Sequence, residues 1–324
     1  MHALVCREYG PIDRLVHEDI PEPEVGPGCV LIRVRAASVN PPDVLMPQGK
    51  YQVKPPTPFV PGVEAMGTVI DTGPGVTGFA PGDRVMTYAG QGCFAEQVAV
   101  PANRVRHVPE GMDDLAAAGF VLVYSTAYHG LVDCGQLAAG ETIVILGASG
   151  GIGLCAIQIA KAIGATVVAA ASTPLKQRTC LNNGADHVID SDPGTLGTRI
   201  KELTGGRGAD VILDVVGGDA TESALRAIAP YGRFLIAGYA SGVIPLIKGN
   251  LVLLKQARVI GVSYRLHLER NPRLAMASLD RLCELWGEGR LRTEVTQQFS
   301  FSRIVDALQQ IADRRVIGKA VVTM

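Results

Sequence analysis

Two hydrophobic periods divide this chain. Up to about residue 110, apolar positions recur at every second residue in short runs. Val30-Leu-Ile-Arg-Val-Arg-Ala-Ala37 sets Arg33 and Arg35 between apolar neighbours, as a half-exposed strand does. Residues 64–71, 83–87 and 94–100 are further predicted strands, punctuated by Gly73-Pro-Gly75 and Pro81-Gly-Asp83 turns. Many short strands with Gly/Pro turns predict a barrel-like or sandwich-like β domain. From about 120 the period lengthens, and 124–132 reads as a helix. Strands at 142–147, 166–171, 187–189, 210–216, 233–237 and 258–263 then alternate with helices at 151–163, 174–182, 195–203, 219–229 and 250–256. This alternation predicts right-handed βαβ units around a parallel sheet, and six strands fit one doubly wound nucleotide-binding domain. A helix at 272–287, a strand at 294–299, a helix at 303–312 and a strand at 318–323 are expected to fold back onto the first domain. The expected boundaries are 1–120 and 265–324 for the two parts of a β-rich domain, with 121–264 inserted between them.

The segment Thr142-Ile-Val-Ile-Leu-Gly-Ala-Ser-Gly-Gly-Ile-Gly153 carries the clearest chemistry. A predicted strand runs into a turn with few side chains, and a helix pattern starts at once. Amides at such a helix start face an anion, and the helix dipole favours its charge. Ala148, Gly150 and Gly153 form an A-x-G-x-x-G variant of the dinucleotide fingerprint. Ser149, Gly150, Gly151 and Ile152 are therefore the expected diphosphate contacts. An NAD site places an acid at the end of the second strand, for the ribose 2′-hydroxyl. Here no acid lies between Gly153 and Asp186. The strand end reads Ala171-Ser-Thr-Pro-Leu-Lys-Gln-Arg178 instead. A hydroxyl at Ser172 and a cation at Lys176 suit a 2′-phosphate, so NADPH is the expected cofactor. The competing reading makes Ser172 the cap of the following helix and Lys176 a surface lysine. Val216 and Gly238-Tyr-Ala240, after the fourth and fifth strands, are further expected cofactor contacts, because open α/β sheets bind ligands at strand ends.

Composition narrows the class. The 324 residues carry a net charge of −1, which gives no general attraction to nucleic acid or anionic membranes. The arginine-bearing points at 103–106 and 313–315 are short and read as solvated faces. The cysteines, seven in all, include no C-x-x-C pair and suit a reducing compartment. Charge follows within the first residues, so no signal peptide is expected, and no uncharged apolar run is long enough to span a bilayer. A cytoplasmic protein is expected.

A series of motifs in order resembles the medium-chain dehydrogenase/reductase superfamily, in its zinc-free quinone oxidoreductase branch. They are Ala37-Ser-Val-Asn-Pro-Pro-Asp43, Gln48-Gly-Lys-Tyr51, Val60-Pro-Gly-Val-Glu64, Pro81-Gly-Asp-Arg-Val85, Gly92-Cys-Phe-Ala-Glu96, Ser125-Thr-Ala-Tyr128, the turn from Ala148 to Gly153, and Gly184-Ala-Asp-His-Val-Ile189. The resemblance spans nearly the whole chain. It implies an α/β fold class: a GroES-like β-rich catalytic domain beside a Rossmann domain with a doubly wound parallel sheet, and an active site in the cleft between them. It also implies a homodimer, formed through the last Rossmann strand near 258–263. Zinc-bearing relatives place ligands where this chain has Asn40, Val63 and Leu122, and a four-cysteine lobe where it has only Cys93. Asn, Val and Leu do not hold catalytic zinc, so no metal is expected. Without a Lewis acid, the reading moves toward reduction of quinones and conjugated carbonyls.

The resemblance also implies roles for single residues. Tyr51 matches a catalytic tyrosine of related enoyl-thioester reductases, and is the candidate donor to the acceptor oxygen; it also reads as a rim residue on the substrate. Asn40 is a candidate contact to substrate or nicotinamide ribose, and Thr126 a candidate contact beside the nicotinamide. Tyr124 lines the substrate pocket or belongs to the core. Lys319 approaches the cofactor or is a surface strand residue. Asp43 and Glu64 read as buried carboxylates paired with an Arg or with backbone N–H groups. His129 reads as a packed, hydrogen-bonded histidine, and His267 shows no partner. Two other functions stay open: an NADPH-dependent enoyl-thioester or alkenal double-bond reductase, and a non-catalytic NADPH-binding structural or RNA-binding moonlighting protein.

Overall fold

A computed structural model describes residues Met1–Met324. The chain forms two compact units, Met1–Leu122 with Arg292–Met324, and Val123–Leu291.

The first unit opens with an antiparallel pair, β1 (His2–Val5) and β2 (Val16–Asp19). The long strand β3 (Cys29–Val39) follows, with Arg33 and Arg35 exposed and their apolar neighbours buried. Next come α1 (Pro41–Leu45), β4 (Glu64–Thr72), β5 (Arg84–Tyr88), β6 (Gln97–Pro101), β7 (Val105–His107) and α2 (Asp114–Ala118). α2 starts where Asp113 accepts the Ala116 amide, a side-chain cap.

The second unit begins on α3 (Val121–Tyr128), which continues as a wide π turn over His129–Cys134. Strands and helices then alternate. They are β8 (Thr142–Leu146), α4 (Gly151–Ile163), β9 (Thr166–Ala170), α5 (Pro174–Asn182), β10 (His187–Ile189), α6 (Pro193–Leu203), β11 (Ala209–Asp214), α7 (Asp219–Arg226), β12 (Ile228–Ile236), α8 (Gly249–Lys255) and β13 (Arg258–Gly261). All six strands are parallel, in the order β10-β9-β8-β11-β12-β13. That order reverses between β8 and β11, and such a switch point opens a crevice at the strand ends. Val144, Leu146, Val168, Ile212 and Phe234 from the sheet pack with Leu196, Ile200 and Leu225 from α6 and α7. Burial on this scale is the main favourable term, at roughly 25 cal/mol per Å² of apolar surface.

Two helices close this unit, α9 (Tyr264–Arg270) and α10 (Pro272–Gly287). Here the structure departs from the expected boundary at 265. Residues 265–291 group with the nucleotide-type sheet and not with the tail. The reason lies in their apolar spacing: Ala275, Met276, Leu279, Leu282 and Leu285 form one buried face on α10. Arg290 also donates to the Ala162 carbonyl in the last turn of α4. α9 itself has no counterpart in the predicted elements.

The chain then returns to the first unit as β14 (Val295–Ser300), α11 (Ile304–Ala312) and β15 (Lys319–Thr323). β15 pairs antiparallel with β3 and completes a seven-stranded sheet. No helix is long and apolar enough to cross a membrane.

Candidate cofactor-binding and active-site residues

At the C-terminal end of β8, the turn Gly147–Gly150 delivers the chain into α4. Gly147 takes φ +70°. A side chain there would strike Val215 and Val216, both at 2.8 Å, so the β8 and β11 ends meet closely. Gly150 is the N-cap, with φ −81° and ψ 174°. A helix has no internal acceptor for its first amides, which here are those of Gly151, Ile152 and Gly153. A Cβ at Gly153 would lie 2.5 Å from the Gly147 carbonyl oxygen and 2.6 Å from Ala148 Cα. That glycine is therefore required by the turn itself. Gly150 differs: its Cβ would meet nothing nearer than the Gly147 oxygen at 3.5 Å. The space in front of it is open, as a cradle for a diphosphate requires. Ser149 is buried beside it.

The neighbouring strand ends are held by buried groups. Asp214, 1% exposed, accepts the amides of Val216 at 2.8 Å and Gly217 at 2.9 Å, and the Thr221 hydroxyl at 2.5 Å. Ala240 N donates to Val215 O at 3.0 Å, so the 238–240 loop lies against the β11 end. The expected residues Val216, Gly238, Tyr239 and Ala240 thus gather at one strand-end edge. Asp214 was not legible as the fastening.

After β9, Thr173 caps α5 by accepting the Lys176 amide at 3.3 Å. The capping role considered for Ser172 belongs to its neighbour. Ser172 is exposed, its hydroxyl uncommitted, and Lys176 forms no ion pair. Gln177 ties the helix back to the Ala171 carbonyl at 3.0 Å. A hydroxyl and a free ammonium therefore stand at the end of the second strand of the sheet, where an acid would select the unphosphorylated ribose.

In the first unit, four side chains form a buried cluster. Lys319 Nζ donates to Asn40 Oδ1 at 2.6 Å and Glu64 Oε1 at 3.0 Å. Asn40 Nδ2 donates to the same Glu64 oxygen at 3.0 Å and to Ser38 O at 3.2 Å. Glu64 Oε2 accepts the Leu122 amide at 2.8 Å. Asp43 Oδ2 accepts the Asn40 amide at 2.8 Å, while its Oδ1 is buried and unpartnered. Burial pushes the Asp43 carboxyl up to about 7, against the pull of the Asn40 amide and with the help of Glu64.

This cluster changes three expectations. Asn40, expected to touch cofactor or substrate, has both ends of its amide committed within the chain. Lys319 is neither a surface residue nor a free cation, being 4% exposed and bound to Glu64. Glu64 is paired with a lysine and a backbone amide, with no arginine involved. Val63 is buried too. The ammonium thus takes the side-chain oxygen of Asn40, the one polar side chain among positions 40, 63 and 122.

The remaining candidates divide. Tyr51 is half-buried in the irregular stretch after α1. Thr126 is buried on α3 at 7% exposure. Tyr124, offered as a substrate contact, is fully buried; its hydroxyl donates to Gln158 at 2.8 Å, and Gln158 donates to Asn183 at 2.7 Å. Its packing against α4 places it in the core and not on a pocket wall.

Comparison with known proteins follows the same division. Residues 26–110 match the alcohol dehydrogenase GroES-like domain, and residues 151–279 match the family described as zinc-binding dehydrogenase. A quinone oxidoreductase of Pseudomonas aeruginosa is 34% identical over 97% of this chain and 96% of its own length. The chain belongs to the medium-chain dehydrogenase/reductase superfamily, in its quinone oxidoreductase branch. A quinone oxidoreductase-like protein 2 homolog of Nematostella vectensis is 33% identical over 99% of this chain and 88% of its own. A mycobacterial member solved in complex with NADPH is 29% identical, covers both chains fully and superposes with a TM-score of 0.94. Membership brings the fold expected from the motifs, a GroES-like domain and a Rossmann-type parallel sheet. The protein is an oxidoreductase of this superfamily.

Proposed function

We propose that the protein transfers hydride from NADPH to quinones or other conjugated carbonyl acceptors, without a metal at the reacting centre. The observation that carries this reading is the pairing of the open Gly150 cradle with an uncommitted Lys176 and Ser172 beyond β9. The α4 amides of Gly151 and Ile152 would hold the diphosphate, with Ser149 beside them. Ser172 and Lys176 would hold the 2′-phosphate. Val216, Gly238, Tyr239 and Ala240 would border the rest of the dinucleotide, and Thr126 its nicotinamide. NADPH supplies the hydride when bound. Negative charge then grows on the acceptor oxygen, and Tyr51 is the proposed phenol donor that meets it. The metal-free reading rests on the donor set: Asn40 and Glu64 already solvate the Lys319 ammonium, and a second cation among them would be repelled.

NADPH oxidation followed beside 1,4-benzoquinone, crotonyl-CoA and an alkenal tests the reading. Benzoquinone is expected to give the fastest turnover. Lys176→Ala is expected to weaken NADPH binding about tenfold, the worth of one charge-assisted hydrogen bond, and to leave NADH binding unchanged. Faster turnover of crotonyl-CoA or the alkenal would make the protein a double-bond reductase. Tight NADPH binding with no acceptor active would favour a non-catalytic role. Preference for NADH would overturn the cofactor assignment.

The seven free thiols support a reducing, cytoplasmic setting. We also propose a homodimer. β13 is an edge of the parallel sheet, and α8, which follows β12, exposes Leu253 and Leu254, each 76% accessible. An unpaired edge beside exposed leucines suits an isologous contact. Light scattering is expected to give twice the 34.1 kDa chain mass. Leu254→Glu is expected to halve it, and a monomeric wild type would refute the pairing.

A further inference from the structure

A second group of reactive side chains lies within the Val123–Leu291 unit, away from the glycine turn in sequence. The π turn His129–Cys134 has more residues per turn than an α-helix, a departure that often marks functional sites. It brings Asp133 and Cys134 to different nitrogens of the His129 ring. His129 Nδ1 lies 2.9 Å from Asp133 Oδ2, and Cys134 Sγ lies 3.5 Å from His129 Nε2. Sulfur, imidazole and carboxylate thus stand in the order of nucleophile, base and orienting acid. Cys29, Cys134 and Cys283 are half-buried, and the other thiols are buried. Cys134 therefore combines access with a base, the setting of a reactive cysteine and not of a packing one.

Helix α9 decides which histidine carries the proton. It stacks the His267 ring on the His129 ring, with centroids 4.0 Å apart and planes 20° from parallel. Burial, and then the charge of His129, lower the His267 ring, which stays neutral at pH 7. Burial also disfavours a charge on His129, but hydrogen bonds with Asp133 and Cys134 outweigh it and lift that ring to about 9. His129 is thus the group able to take the thiol proton, and Asp133 holds it in place. His267 Nε2 stands 3.7 Å from the same Asp133 oxygen, buried and with no hydrogen-bond partner. Native interiors seldom leave such a nitrogen unserved. A ligand bearing a carbonyl oxygen would give it an acceptor.

We propose that Cys134 is a covalent attachment site for conjugated carbonyl compounds, with His129 as its acid–base partner. The thiol proton passes to His129 Nε2, and the sulfur attacks the β-carbon. The S–C bond forms as the C=C π pair shifts toward the carbonyl oxygen, giving an enolate. His129 then returns the proton to the α-carbon. The product is a saturated thioether, with no oxidant or reductant required. Such an addition needs a nucleophile and an acid together, and this turn holds the two 3.5 Å apart. The choice of electrophile rests on the acceptor class proposed for hydride transfer; the reactivity of the thiol rests on the turn alone. No residue of the site is among those assigned to the dinucleotide.

Labelling of protein free of NADPH tests this, because hydride transfer then cannot consume the reagent. One arm uses methyl vinyl ketone and a parallel arm iodoacetamide, and peptide mass spectrometry follows each cysteine. Cys134 is expected to react with both reagents at least about tenfold faster than Cys29 and Cys283. His129→Gln is expected to slow Cys134 about a hundredfold, the lower end of what a positioned acid–base group contributes. Cys29 and Cys283 are expected to keep their wild-type rates in that variant, whereas a general loosening of the fold would raise them. Wild-type Cys134 that labels no faster than the other two overturns the proposal, as does an unchanged Cys134 rate in His129→Gln. Rapid reaction with iodoacetamide and no methyl vinyl ketone adduct refutes the electrophile class. Should His129→Gln fail to fold, the wild-type rate ratios decide. Failure of quinone turnover with NADPH would leave all these rates as they are, so the two readings fail separately.

Discussion

Replacing Lys319 by methionine is expected to destabilise the protein by about 3–5 kcal/mol, the usual cost of removing one partner from a buried ion pair. The side chains of Lys319 and Glu64 are 5% and 1% exposed, so water cannot take over the lost interaction. Methionine keeps the length of the stem and removes only the ammonium. Glu64 would retain the Leu122 amide and Asn40 Nδ2, but would lose its only cation. Asn40 Oδ1 would lose its donor as well. Asp43 sharpens the effect, because a second buried carboxyl already adds negative potential to the same cluster. The double variant Lys319→Met with Glu64→Gln removes both charges together. It is expected to recover more than half of the loss, since neutral pairs do not carry the desolvation cost of a lone charge. Urea melts of the four proteins in this cycle measure the coupling. A Lys319→Met variant as stable as wild type would show that the pair contributes nothing.

The uneven legibility of this chain has a physical cause. The sheet of the second unit could be read because strand and helix periods are local, and its strands fall within a few residues of the predicted ones. The glycine turn was equally plain, since its chemistry is contiguous: a strand, Gly150 and Gly153, and a helix start. The Lys319 cluster was not, because its partners lie 279 and 255 residues away and no pattern near Gly318 marks the lysine as buried. The same holds for His267, whose ring meets His129 across 138 residues of chain. α9 escaped because it is short and only Tyr264, His267 and Leu268 are buried on it. The misplacement of 265–291 follows directly. Helix α10 has a clear apolar face, but a face does not name the surface it packs on. At the end of β9 the competing cap reading fell one residue short: Ser172 and Thr173 are both competent caps, and only geometry chose between them.

The two glycines at the head of α4 are expected to respond differently to a single methyl group. Gly153→Ala places a Cβ 2.5 Å from the Gly147 oxygen and 2.6 Å from two backbone atoms of Ala148. Backbone cannot swing aside as a long side chain can, so the turn must open. Both folding stability and NADPH binding are expected to fall, stability by about 1–3 kcal/mol in line with overpacking. Gly150→Ala is the more telling variant. Its φ of −81° and ψ of 174° are ordinary for any residue, and the new methyl meets only one atom, at 3.5 Å. Stability is expected to stay within about 0.5 kcal/mol of wild type, the range for changes away from special sites. NADPH binding is nevertheless expected to weaken about 10- to 100-fold, since the methyl fills the space a diphosphate would occupy and costs at least one charge-assisted hydrogen bond of about 1.5–3 kcal/mol. Urea melts and fluorescence titration with NADPH separate the two effects in both variants. Wild-type affinity in Gly150→Ala would mean that the diphosphate does not lie against this turn, and the cofactor assignment would fall with it.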